Sequence, residues 1–156
     1  MGKSSNWGQS FIDLAAKKGL QLKKPTQSQF NRFINYLLIG KDHKNHKVVS
    51  VCLKKVKSTN KNNWVWVEIK NKKGDPGWIF GDADFIVFEF QDKFLFIPRK
   101  TLLDYVYKNV DFDSPISSNS WDAKYKIYQR HGFLDQITQL KISKIQDLPN
   151  SYVWTK

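Results

Sequence analysis

Polar and apolar residues change their spacing along the chain, from helical near the start to alternating in the middle. Trp7, Phe11, Leu14 and Ala15 fall on one helical face, which predicts a helix over residues 6–19. Asn6 is placed to cap it, Lys17 and Lys18 suit its last turn, and Gly19 can close it in the left-handed conformation. A basic linker follows at Lys23, Lys24 and Pro25. Residues 26–39 carry two patterns at once. Thr26 and Gln29 have capping-box spacing, and Phe30, Phe33, Ile34, Leu37 and Leu38 keep a helical period. The run FINYLLIG, ending at Gly40, equally reads as a buried strand, with 41–47 as a hairpin connection. A short helical turn followed by a strand at 33–39 is the preferred reading.

Strand patterns dominate from there. Val48–Val56 and Trp64–Lys70 are predicted as a hairpin across the polar stretch Lys57–Asn63. A loop at Gly74-Asp75-Pro76-Gly77 leads to strands Asp84–Phe90 and Phe94–Ile97, joined by a tight turn at Gln91–Lys93. Past Pro98, residues Arg99–Lys108 read as a helix with Leu102, Leu103 and Val106 inward. Residues 111–120 are a Ser/Pro/Asn-rich loop, and Ala123–Gln129 and Ile137–Ile142 are predicted strands. No internal repeat or low-complexity tract interrupts this order. The expected fold is a single α+β domain, with a central mixed sheet flanked by the first helix and the Arg99–Lys108 helix.

Composition narrows the class. A chain of 156 residues that is 40% hydrophobic and 15% aromatic can bury a core, which excludes a disordered tail. The longest apolar runs, VWV, FIVF and FLFI, fall far short of the ~20 residues a membrane span needs. No secretory pattern opens the chain, and the single Cys52 excludes an internal disulfide framework and a Cys-based zinc finger. The expectation is a soluble, intracellular protein. Lys plus Arg number 26 against 14 Asp plus Glu, a net charge of +12. That excess attracts polyanions, and nucleic acid is the commonest inside a cell. Solubility or an acidic partner would require the same excess.

Candidate chemistry is sparse. The chain has no Walker loop, dinucleotide glycine fingerprint or nucleophile elbow. His43 and His46 are spaced for a zinc pair, but no Cys or carboxylate cluster joins them, and they and His131 read as solvated. Cys52 lies among apolar residues and lysine with no histidine placed to activate it, so it reads as a packing residue. Strand alternation puts Ser50, Cys52 and Lys54 on one face, and Trp64, Trp66, Glu68 and Lys70 on one face of the next strand. Glu68-Ile69-Lys70 is a carboxylate-x-lysine triplet. Such a pair can hold Mg²⁺ and steady the attacking water in phosphodiester hydrolysis, and it also arises by chance in a lysine-rich chain.

The run WVEIKNKKGDPGWIFGDADFIVFEF, followed by FLFIPRKTLLDYV, covers Trp66 to Val106 and resembles small phage-type nucleases of the PD-(D/E)XK superfamily. Tyr128-Gln129-Arg130 with Asp135 and Thr138 resembles the C-terminal motif of those nucleases more loosely. The resemblance implies a restriction-endonuclease-like core, Mg²⁺-dependent cleavage of double-stranded DNA, a homo-oligomer, and a phage-infected bacterial cytoplasm as setting. It places the catalytic positions at Gln9, Asn35, Cys52 and Lys54. Only the lysine matches; the three acidic positions are neutral, and neutral groups do not hold a hard divalent cation. The chain is then a naturally inactive relative kept for DNA binding, a deliberately inactivated variant, or an enzyme whose metal site has moved to Glu68 with Asp82 or Asp84. A non-enzymatic phage accessory protein acting through protein contacts is the competing class. For DNA, the candidate contacts are Lys54, Lys55, Lys57, Lys61, Lys70, Lys72 and Lys73, with Trp78 either stacking on an unpaired base or anchoring the core.

Overall fold

The computed structural model describes residues 8–40, 47–57 and 63–156. Helix α1 spans Gln9–Lys17, and the Asn6 and Trp7 part of the expected helix lies outside the described residues. Gly8 precedes it at φ 77°, and a Cβ there would meet the Tyr36 hydroxyl at 2.5 Å, so only glycine fits. Gly19, also left-handed, ends the helix as expected. The chain turns into strand β1, Leu20–Lys23, which takes up Lys23 of the expected linker and leaves Lys24 and Pro25 outside regular structure. Helix α2, Gln27–Asn31, carries the full Thr26–Gln29 capping box. The helical pattern running on to Leu38 is broken by Phe33 at φ 64°, and the chain extends into strand β2, Tyr36–Gly40. A bulky residue in that conformation costs about 1–3 kcal/mol, so the surrounding packing outweighs local helix spacing here.

Strand β3, Val48–Lys55, has Ser50 to Leu53 buried in a row, the pattern of a central strand covered on both faces. It pairs antiparallel with β2 and parallel with strand β5, Phe85–Glu89, which turns through residues 90–92 into strand β6, Lys93–Pro98. Strand β8, Tyr152–Thr155, closes the far side of β6. The large sheet therefore runs β1-β2-β3-β5-β6-β8, mixed through its one parallel pair.

Strand β4, Trp64–Lys70, does not form the expected hairpin with β3. It leaves the large sheet and pairs antiparallel with strand β7, Gln136–Lys141. The physical reason is burial: β3 has β2 and β5 on its two edges, whereas β4 alternates strictly between buried Val65, Val67 and Ile69 and a partly open opposite face. The segment from β4 to β5, including one 3₁₀ turn at Trp78–Phe80, thus serves as the crossover that a parallel pair needs. The expected strand at Ala123–Gln129 is also absent. Ser120–Ala123 is a 3₁₀ turn, and Tyr125 at φ 56° interrupts the extended backbone, leaving only isolated bridges.

Each face of the large sheet carries a core. Phe11 and Ala15 of α1 pack on Leu38, Val51, Leu53, Val87, Phe94, Phe96 and Trp154. The other face buries Cys52, Ile86, Phe88 and Ile97 under β4, β7 and helix α3, Arg99–Asn109, which contributes Leu102 and Val106. A one-turn helix α4, Ile142–Ile145, follows β7. No described helix is long and apolar enough to cross a membrane.

Candidate nucleic-acid interface

The open face of β4 forms the floor of a cleft. Alternation along the strand turns Trp64, Trp66 and Glu68 outward, and the register with β7 sets Gln139 opposite Trp66 and Ile137 opposite Glu68. One wall is the end of β3, Lys54 and Lys55, continuing into Val56 and Lys57, with Trp78 and Phe88 at its base. Ser120, Tyr128 and Arg130 make the facing wall. The volume of the open cleft is about 590 Å³.

Aromatic rings and cations alternate around this cleft. The Trp66 and Tyr128 rings lie 5.9 Å apart, tilted by 42°. Lys54 Nζ sits 5.4 Å from the centre of the Trp78 ring, and Lys124 Nζ 5.2 Å from that of Trp64. Arg130 is held by the fully buried Asp135, which accepts from Arg130 Nε at 2.5 Å and from its backbone N–H at 3.1 Å. Phe133 lies between Lys72 and Arg130, and Leu134 N donates to Lys72 O, so the 130–135 loop is tied to the 71–74 turn. Gly77 packs directly on β4: a Cβ there would fall 2.3 Å from Glu68 O.

The expected site residues separate. Lys54, Lys55, Lys57, Glu68 and Trp78 line the cleft. Trp78, 6% exposed, is an anchor of the core and not an available stacking platform, because its rim is filled by Phe88 and Lys54. Lys70 stands exposed beyond a bulge in β4, and Lys72 and Lys73 lie on the following turn, so none of them lines the cleft. Lys61, His43 and His46 lie outside the described residues, and His131 is exposed. Asp82 and Asp84 are engaged by other groups. Arg32 bonds Asp82 through two nitrogens and holds its carboxyl below the usual range, while Asp84 accepts from the backbone and hydroxyl of Ser50.

The positions that the nuclease resemblance marks are also split. Gln9 is exposed on α1, bonded to Asp13, on the opposite face of the large sheet from Cys52 and Lys54. Asn35 is beside β3, its Oδ1 accepting from Leu53 N at 2.6 Å. Cys52 is buried, and burial pushes its thiol up to about 11, with Glu68 adding to the rise and Lys54 opposing it. A neutral thiol, an amide engaged by backbone and a glutamine across the sheet do not fit Mg²⁺, which takes oxygen ligands and carboxylate charge. Among the described residues no three His, Cys, Asp or Glu side chains come together for a metal ion.

The buried, protonated state of Cys52 has a direct test. Iodoacetamide at pH 8 should leave the native protein unmodified and alkylate it once denatured. Rapid native alkylation would mean that the thiol is neither buried nor raised.

Trp66, Tyr128 and Arg130 were not singled out as interface residues by the sequence pattern. For Trp66 a signal exists, since the alternation WVWVE puts it on the same face as Glu68. Tyr128 and Arg130 arrive from a distant segment, where the one signal is the looser C-terminal resemblance. Comparison with family models, curated proteins and solved structures finds no match to this chain.

Proposed function

We propose that this α+β protein binds DNA through the β4 cleft and descends from PD-(D/E)XK nucleases while lacking their metal centre. One observation carries the reading. In a chain of net charge +12, Lys54, Lys55 and Lys57 face Arg130 across a cleft floored by Trp64 and Trp66. Cations on both rims can follow a phosphate backbone, and the rings between them can meet bases. The kinship rests on the Trp66–Val106 resemblance, and the impaired cleavage on the neutral residues at Gln9, Asn35 and Cys52.

Incubation of supercoiled plasmid with the purified protein, with Mg²⁺ or Mn²⁺ and with chelator, tests the second part. The expected result is a gel shift that weakens steeply with salt and no nicking under any condition. Metal-dependent nicking that Glu68→Gln abolishes would instead establish a displaced active site. A second reading, an accessory protein acting through protein contacts, is favoured by the 76% exposure of Trp121 and by the exposure of Ile116. It predicts a stable complex with an acidic protein and no salt-sensitive DNA affinity.

A further inference from the structure

Among the described residues Glu68 is the one acidic residue lining the basic cleft, and its carboxylate makes no hydrogen bond or ion pair with any of them. Lys54 and Lys57, on the wall beside it, likewise have no ion pair among the described residues. A phosphate laid on the floor would meet that carboxylate and be repelled. A group offering N–H donors would not. Next to Glu68 on the same strand face is Trp66, 38% exposed and flanked by Tyr128, which gives a flat apolar surface at the same depth. The cleft, at about 590 Å³, has the size of sites that take one small molecule.

From these features we infer that the cleft receives an unpaired nucleobase that bears an exocyclic amino group. Its ring stacks on Trp66, its amino group donates to the Glu68 carboxylate, and the flanking phosphates run along Lys54, Lys55 and Lys57. Cytosine, adenine and guanine each offer such an amino donor, which thymine lacks, so cytosine against thymine is the comparison of equal-sized rings that isolates it. This inference rests on the DNA-binding reading and adds the strand state and base preference.

Fluorescence anisotropy with labelled oligo(dC), oligo(dT) and a blunt duplex of equal length, at fixed salt, tests it. Oligo(dC) should bind about tenfold tighter than the duplex and severalfold tighter than oligo(dT). Trp66→Ala should cost oligo(dC) about ten- to a hundredfold and leave the duplex within about twofold, whereas Trp66→Phe should retain most of the affinity. Glu68→Gln should erase the preference for dC over dT, chiefly by improving oligo(dT), which a purely structural role for Glu68 would not do. Salt-dependent binding in which the duplex equals or exceeds oligo(dC), or an equal loss on all probes from Trp66→Ala, overturns this inference and leaves the DNA-binding reading standing. No salt-dependent binding to any probe overturns both.

Discussion

Reversing the charge of Lys54, Lys55 and Lys57 together is expected to lower DNA affinity by at least about a hundredfold at moderate salt. The three side chains occupy one wall of the cleft, and their replacement by Glu takes the net charge from +12 to +6. Each phosphate that is no longer neutralised should remove about 0.7 (single strand) to 0.9 (duplex) from the slope of log affinity against log salt, so the variant's slope should be shallower by about 2–3. Lys72→Glu is the internal comparison. Lys72 lies over the Phe133 ring on the turn outside the cleft, so its reversal should cost much less. Anisotropy titrations across a salt series measure both. Equal losses from the two variants would show that charge acts through the whole surface and not through this wall, and no loss from either would remove the lysines from the interface altogether.

Arg130→Met should destabilise the fold by about 3 kcal/mol, a fall in Tm of roughly 6–12 °C for a chain of this size. The carboxylate of Asp135 is fully buried, and Arg130 supplies the cation that compensates it. Removing the guanidinium strands a charge in the interior, a cost well above that of an exposed ion pair. Adding Asp135→Asn to Arg130→Met should recover much of the loss, because the amide oxygen can still accept the Arg130 backbone N–H without carrying charge. Thermal unfolding followed by circular dichroism decides the matter. If the double variant is no more stable than the single, lost packing and not the stranded charge accounts for the effect.

Much of the fold was legible where the determinants are local. The capping box at Thr26, the left-handed glycine at Gly19, the β5–β6 hairpin and the helix after Pro98 each depend on residues a few positions apart. The partner of β4 was not legible, because strand pairing is a long-range choice. The four-residue strands β1 and β8 carry too short a pattern to stand out from linker sequence. Residues 123–129 have strand-forming composition, yet Tyr125 turns left-handed, its hydroxyl meeting that of Tyr105 at 2.7 Å. The site divides in the same way. Lys54 and Glu68 could be placed from alternation alone, while Tyr128 and Arg130 join them only through the docking of β7 on β4. The separation of Gln9 from the group depends on which face of the sheet α1 covers, which no local pattern encodes.

The parallel pairing of β3 with β5 also sets an order of events. The chain must leave the large sheet after β3, lay down β4 and return before β5 can find its place. The wall carrying Tyr128 and Arg130 is added only after β6 and α3, from a segment much later in the chain. Contacts between such distant segments close slowly, after more local ones have lowered the entropy of the loop between them. The cleft is therefore closed by contacts between segments far apart in the chain, beside a six-stranded sheet that does not include either of its floor strands. A nucleotide held between its walls would act as a staple across that seam, tying together segments that the chain itself joins only over long distances.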